Sequence, residues 1–457
     1  MRILNTSIFG LALSGLLATS VWAENPMVEA DFWEEATLAS VQETVAAGNA
    51  ANDITSNGYT PLIRALRGGA SVEMVDYLLA QGADINRLGH DGRPAIFWAS
   101  RYGNLEMVNH VLDLGADLTI PDDSGRNPTL YAAFGQSDPA VFQRLVDAGL
   151  DINEVDDSGR NAVLSAAYYN PSLDVVNLLV EMGGDLSAKT TNGQDAFMIA
   201  ASRNASLEVV QAMQPLSNDV HATTDEGDDA LLLAAYRNAS LDVITYLEEM
   251  GFDGAATNDA GRNALSIAVY RNEIEVVQHF LDQGLDVNAA DASGRTPLAH
   301  AMERGSVEVV ELLIASGADV NAADAEGNTP ILFAAARSRS GVDEIVAALA
   351  GAGADLAVVN ADGLTGLMSA ARLDHSLDVI TTFVDGGVAI NAVDGDLQSA
   401  LMRAATNTSD PAVIAYLLEH GADASLADDF GDTAYELAAD NEKLAGTDAA
   451  DLIKAAM

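Results

Sequence analysis

A pattern seen in full as GRTPLAHA at 294–301 returns along this chain every 33 or 34 residues, and that period decides what the chain can fold into. The leucine of TPL, Leu298, has counterparts at 62, 96, 129, 163, 197, 231, 265, 331, 367, 401 and 435, with a single step of 36. Gly stands four positions earlier in eleven of the twelve copies, and Ala stands three positions later in all twelve. A unit this small cannot bury its own apolar face, so each copy must pack on the next.

Each repeated position has a physical reason. Gly permits positive φ in a tight turn. Thr caps the helix that follows, and Pro at its first position gives up no needed hydrogen bond. The invariant Ala lets neighbouring backbones approach. In VEVVELLIASGADVN (307–321), Val309, Val310, Leu312 and Leu313 carry helical spacing and form the buried face of a second helix, which Gly317 ends.

GRTPLAHA, GNTPILFA and GYTPLIRA, each followed by such a second apolar segment, resemble the ankyrin repeat family over residues 32–457. The resemblance implies an all-α fold: an ankyrin repeat solenoid of about 12 helix-turn-helix repeats with projecting β-turn loops, curved so that one concave surface faces partners. Residues 24–57 read as an N-terminal capping segment and partial repeat. Residues 58–457 read as the repeat array, closed by DAADLIKAAM as a polar cap, and the two form one continuous domain.

The chain departs from the family pattern in four ways. Extra residues fall between the two helices, as in YRNASLDV (236–243). The family's His beside TPL is absent throughout, which removes a hydrogen-bond network between repeats and lowers the expected stability. Pro215 falls inside a second helix whose terminal Gly is Ser217, so either a soft joint near 213–220 or an early helix end is expected. Leu397 replaces a turn Gly, with Gly395 nearby, so that turn is expected to shift register.

Charge narrows the function. With 68 acidic against 22 basic residues and a formal charge of −46, the chain is repelled by phosphate backbones, which argues against nucleic acid. It has no cysteine, which excludes disulfides and thiolate chemistry. Residues 1–23 read as a signal peptide cleaved after Ala23. That implies a periplasmic or secreted protein with no membrane span after cleavage.

The scarce arginines are placed with a pattern. Three columns, the turn residue after Gly and two places at the end of the first helix, hold 13 of the 18 Arg that follow residue 23. The turn column has Arg93, Arg126, Arg160, Arg262 and Arg295. The helix ends have Arg67, Arg101 and Arg372 and a run through five copies, Arg203, Arg237, Arg271, Arg304 and Arg337, with Tyr59, Tyr102, Tyr168, Tyr169, Tyr236 and Tyr270 beside them. The resemblance places these columns on the partner-facing surface. Arg forks match carboxylates, and Tyr offers a flat amphipathic face. At a spacing of about 10 Å two such charges repel by only about 0.4 kcal/mol in a water-like dielectric.

Two readings of these columns stand. They face a protein or peptide with an acidic surface, or they pair with acidic turn residues such as Asp122, Asp156 and Asp291. The second Arg of RSRSG (337–341), in the longest inter-helix turn, is a further candidate contact. The seven His show no metal-ligand spacing, and no catalytic motif, cofactor loop or metal site is present. The expected protein is a monomeric, non-catalytic scaffold. The alternatives are an anionic small molecule or polysaccharide in the same groove, or a structural or accessory subunit of an exported enzyme complex.

Overall fold

The computed structural model describes residues 25–238, 240–271 and 273–457, the Arg271 side chain excepted. The signal-peptide expectation therefore lies outside the described residues. The chain divides into two compact units, one ending at Asp123 and one running from Ser124 to Met457.

Both units are built from short helix pairs. In the first, Pro61–Arg67 pairs with Val72–Ala80 and Ala95–Tyr102 with Leu105–Asp113, behind the helices Ala30–Glu34 and Leu38–Ala46. The second begins with Pro128–Ala133 and Pro139–Asp147 and ends with Ala434–Asp440 and Ala449–Ala456. None of these helices exceeds ten residues, too short to persist alone in water, so packing against neighbours holds them. Within each unit, first helices pack on first helices and second on second. The described residues form no sheet; isolated bridges such as Val393 to Ser399 close three of the turns.

The repeated residues do what their chemistry predicts. The column Ala residues lie at the helix contacts: Ala65, Ala99, Ala166, Ala268 and Ala404 are all fully buried. First helices are capped by Thr60, Asn161, Asp195 and Thr296, whose side chains accept the backbone N–H three residues on. Thr329 is an exception. It makes no cap bond, and its buried hydroxyl has no partner. Gly261 sits at φ +76°, and a Cβ there would lie 2.7 Å from the Ala292 backbone nitrogen of the next turn. Both conformation and space demand glycine.

Three rows of hydrogen bonds join successive repeats of the 124–457 unit. At the turn tips, backbone N–H groups donate to the preceding turn: Asp259 to Glu226, Ala292 to Ala260 and Ala325 to Ser293, at 2.9–3.1 Å. After the second helices, Asn288 donates to the Gly317 carbonyl and accepts from the Asp319 N–H, and Asn321 does the same with Gly353 and Asp355. Past the C-terminal ends of the first helices runs a ladder of buried asparagines. Asn204 Nδ2 donates to the carbonyls of Ala167 and Asn170, and Asn238 Nδ2 to those of Ala201 and Asn204, at 2.8–3.0 Å. Asn170 and Asn441 repeat the contact at their own positions. The missing column His therefore does not leave these repeats unlinked: at Asn170, Asn204, Asn238 and Asn441 the residue after the first helix supplies the bridge.

Of the two irregular copies, one departs from expectation and the other takes the second of its two expected forms. Leu397 takes the glycine's left-handed conformation itself, at φ +58°, and Asp394 Oδ1 still accepts the N–H groups of Asp396 and Gln398 as its counterparts do. The turn keeps its register and carries strain of about 1–2 kcal/mol instead. At Pro215 the helix Leu207–Met213 ends early in a 3-10 turn over Gln214–Leu216, and the Ser217 hydroxyl donates to the Asp195 carboxylate 2.6 Å away. The second helix is shortened and its end is tied down.

Candidate functional site

Helix geometry puts the column residues at two heights of each repeat, and the two heights treat arginine differently. The turn residues meet the buried Asp or Asn that organises the turn. Arg93 is 5% exposed and pairs with Asp122 at 2.8 Å and Asp91 at 2.9 Å. Arg160 pairs with Asp156 at 3.2 Å. Arg295 lies 2.6 Å from Glu303 and 3.6 Å from Asp324, with its guanidinium over Phe333. Arg126 donates to the Ser124 hydroxyl and covers Phe134. For Arg93, Arg160 and Arg295 the reading of internal pairing is the one the geometry favours.

Arg262 breaks this row. It is half-buried, its Nε is sealed from solvent without a hydrogen-bond partner, and no described carboxylate lies within ion-pair distance of it.

The helix ends contrast with the turns. Arg203, Arg237 and Arg304 are exposed and form no ion pair with any described carboxylate. Each lies over a tyrosine: Arg203 is 4.8 Å from the Tyr169 ring centroid and 5.7 Å from that of Tyr168, Arg237 is 5.0 Å from Tyr236 and Arg304 is 5.4 Å from Tyr270. Tyr236 and Tyr270 stack with centroids 6.2 Å apart, which joins Arg237 and Arg304 into one strip. A cation over a ring is steadied by roughly 0.5–1 kcal/mol, yet keeps its N–H donors for another partner.

The smaller unit has its own cluster. Arg67 donates to the Tyr59 hydroxyl at 3.1 Å and lies 6.0 Å from the Tyr102 ring, while Arg101 lies 5.2 Å from the same ring. Tyr59 also carries Arg64 at 3.7 Å and stacks on His90. The Arg271 side chain lies outside the described residues.

One end of the expected run needs correction. Arg337 is 8% exposed, and its guanidinium donates to the carbonyls of Ala301, Met302 and Gly305. Burial pulls its pKa below the usual arginine value, with Arg339 adding repulsion. Its acceptors lie in the preceding repeat, as those of Asn204 and Asn238 do, so Arg337 bridges repeats in a copy that has Ser338 and not Asn at the ladder position.

Two cavities lie along the strip. One of about 500 Å³ is lined by Tyr236, Tyr270, Arg262, Arg295, His300 and Asp228, with other turn residues. Another of about 380 Å³ lies against Arg160, Tyr168, Tyr236 and Arg237. In the larger, burial pushes the Asp228 carboxyl up despite a hydrogen bond from Asn258. Burial pushes the His300 imidazole down against its Asp291 partner at 2.9 Å. Sequence reasoning did not find this cavity or the asparagine ladder. The recurring Asn after the helix-end Arg (Asn204, Asn238, Asn272) was the available signal for the ladder. Among the described residues no cluster of side chains fits a metal ion, and no helix is long and apolar enough to cross a membrane.

Comparison with known proteins agrees with this architecture. A family profile described as ankyrin repeats matches the chain in overlapping stretches from 34–122 through 197–291 to 367–452. Neurogenic locus notch homolog protein 1 of Xenopus tropicalis is 34% identical over 103 residues, 20% of this chain and 4% of that protein. The inactive serine/threonine-protein kinase TEX14 of Bos taurus is 32% identical over 102 residues, 22% of this chain and 7% of that protein. The human transient receptor potential cation channel subfamily A member 1 is 40% identical over 55 residues, 12% of this chain and 5% of that protein. The chain thus spans only a small fraction of these curated relatives. With twelve copies of the repeat, helix pairs in every described copy and a family match that covers nearly all of it, the chain belongs to the ankyrin repeat family.

Proposed function

We propose that this protein is a non-catalytic scaffold that binds an acidic protein or peptide through Arg203, Arg237 and Arg304 and the tyrosines beneath them. Ankyrin repeats generally mediate protein–protein interaction, and the family is generally non-catalytic. The observation that carries the acidic-partner reading is the state of these three guanidinium groups: exposed, steadied by rings, and paired with no described carboxylate in a chain that has 68 acids. The chain's overall charge does not forbid an acidic partner. At physiological salt charges beyond about 8 Å are largely screened, so the local row governs the contact. In the smaller unit the exposed Arg67 likewise lies over the Tyr102 ring. We place the protein outside the cytoplasm, on the leader-like residues 1–23.

The test is capture of proteins from the exported fraction by the immobilised chain, wild type against Arg203→Ala/Arg237→Ala/Arg304→Ala. An acidic protein held by the wild type, lost with the triple variant and released by added salt is the expected result. Equal capture by both forms, or capture of basic proteins alone, would overturn the proposal.

A further inference from the structure

The larger cavity carries a more specific conclusion, which rests on the partner-binding reading above. Charge accounting inside it leaves, among the described residues, one cation without an ion pair, Arg262, whose charge Asp228 feels, while Glu226 lines the same cavity without an ion pair of its own. Asp291 is engaged by His300 at 2.9 Å and by the N–H groups of Ser293 and Arg295. Glu303 is engaged by Arg295 at 2.6 Å, and Asp228 accepts from Asn258 at 2.8 Å. Arg295 is in turn shared between Glu303 and Asp324. Arg262 alone brings a full charge to the cavity without a carboxylate partner, and its Nε is buried and unsatisfied. A buried charged donor left without an acceptor is destabilising, so a ligand that satisfies it recovers that deficit.

We propose that this cavity receives one carboxylate of the partner, from a side chain or a chain terminus, on the Arg262 guanidinium beside Tyr236 and Tyr270. The planar fork suits a carboxylate. The acids that line the cavity argue for a single negative charge. A phosphate dianion would gain the same arginine but meet Glu226, Asp228, Asp291 and Glu303, and no second uncommitted cation faces it among the described residues. Volume agrees: about 500 Å³ exceeds what one acidic side chain fills and leaves room for the adjoining partner backbone.

The experiment uses the full chain labelled with 3-fluorotyrosine, with the Tyr236 and Tyr270 signals assigned by Tyr→Phe variants. Four probes are titrated: N-acetylglycine for a terminal carboxylate, N-acetylglutamic acid amide for a side-chain carboxylate, N-acetylglutaminamide as the neutral match, and inorganic phosphate. One or both carboxylates should shift the two signals saturably with Kd of about 1–10 mM, the range open to so few atoms. The carboxylate that binds identifies its source. The neutral probe should give no saturable shift, and phosphate should bind more weakly.

Arg262→Gln should weaken carboxylate binding about tenfold or more. Asp228→Asn, which removes a nearby like charge, should tighten it about threefold. Saturable binding unchanged in Arg262→Gln, no binding of either carboxylate, or tighter binding of phosphate would overturn the inference. Because Arg237 and Arg304 lie over Tyr236 and Tyr270, the Arg203/Arg237/Arg304 triple variant is used in the capture assay alone, and the probes are titrated into the wild type. Loss of captured protein in that variant, with no probe binding in the wild type, would remove the carboxylate pocket and leave the scaffold reading standing. Probe binding with capture indifferent to the triple variant would do the reverse.

Discussion

Arg93 and Arg203 occupy two heights of the same repeated unit and have opposite fates. Arg93, in a turn, is sealed between Asp91 and Asp122, whereas Arg203, at a helix end, lies exposed over two tyrosines and has no acidic partner among the described residues. The difference teaches that a cation's role in a repeat protein follows what the neighbouring copy places opposite it. Most turns hold an Asp, Asn or Thr that accepts their own backbone N–H groups, and at Asp122, Asp156 and Asp324 the acid meets an arginine. The helix end needs donors for the preceding repeat's carbonyls, which Asn170, Asn204, Asn238 and Asn441 supply in their copies and Arg337 in its own. Arg93, Arg160 and Arg295 are therefore structural, as Arg337 is at the second height, whereas Arg203, Arg237 and Arg304 remain available, as Arg262 does at the first.

The contrast can be broken most sharply at Arg93. Arg93→Met removes the guanidinium 2.8 Å from the Asp122 carboxylate, whose side chain is fully buried, and urea unfolding should show a loss of about 3–5 kcal/mol. A loss below about 0.5 kcal/mol would mean that the turn row is no more committed than the helix ends. Asn238→Ala tests the neutral ladder. It strands the carbonyls of Ala201 and Asn204 and also removes the acceptor for the Ser240 N–H, so about 2–3 kcal/mol should be lost. An unchanged midpoint would show that the repeats are linked by other means.

Leu397→Gly should work in the opposite direction. It relieves the φ +58° strain at an exposed side chain and should raise stability by about 1 kcal/mol in the same assay. A decrease would show that the leucine side chain makes a contact worth more than the strain.

Acidification should produce a smaller effect with a definite sign. Burial lowers the pKa of His300 and of His375 in the fold, so below about pH 6.5 the unfolded chain binds more protons than the folded one. Stability is therefore full above that pH and declines below it, and His300→Gln should flatten the slope. A slope of opposite sign would place a charged imidazole in the fold. Smallest of all should be the stability effect of Arg203→Ala, within about 0.5 kcal/mol of the wild type, because it removes an exposed residue held by ring contacts alone. A larger loss would make it a structural residue like Arg93.

Much of this was legible in the sequence. The period, the turn glycines, the Thr caps and the buried Ala column follow from local rules that each copy states again, so error in one copy is corrected by the rest. The helix-end arginines were legible as a column for the same reason. What the sequence could not supply was the pairing across copies. Nothing local to Arg337 says that three carbonyls of the preceding repeat converge on it, while Arg304, one repeat earlier in the same column, stays exposed. The register of the Leu397 turn was likewise decided by a nonlocal preference. Asp394 keeps its two N–H donors and the backbone of the next turn stays in step, Asp429 donating to the Asp396 carbonyl, at the expense of a strained residue.

The central claim, that an arginine's commitment follows what the neighbouring copy places opposite it, is tested most directly by hydrogen exchange of the guanidinium N–H groups, followed by NMR in the unliganded chain. The account predicts slow exchange at Arg93 and Arg337 and rapid, solvent-like exchange at Arg203, Arg237 and Arg304. Protection of the last three comparable to that of Arg93 would contradict it.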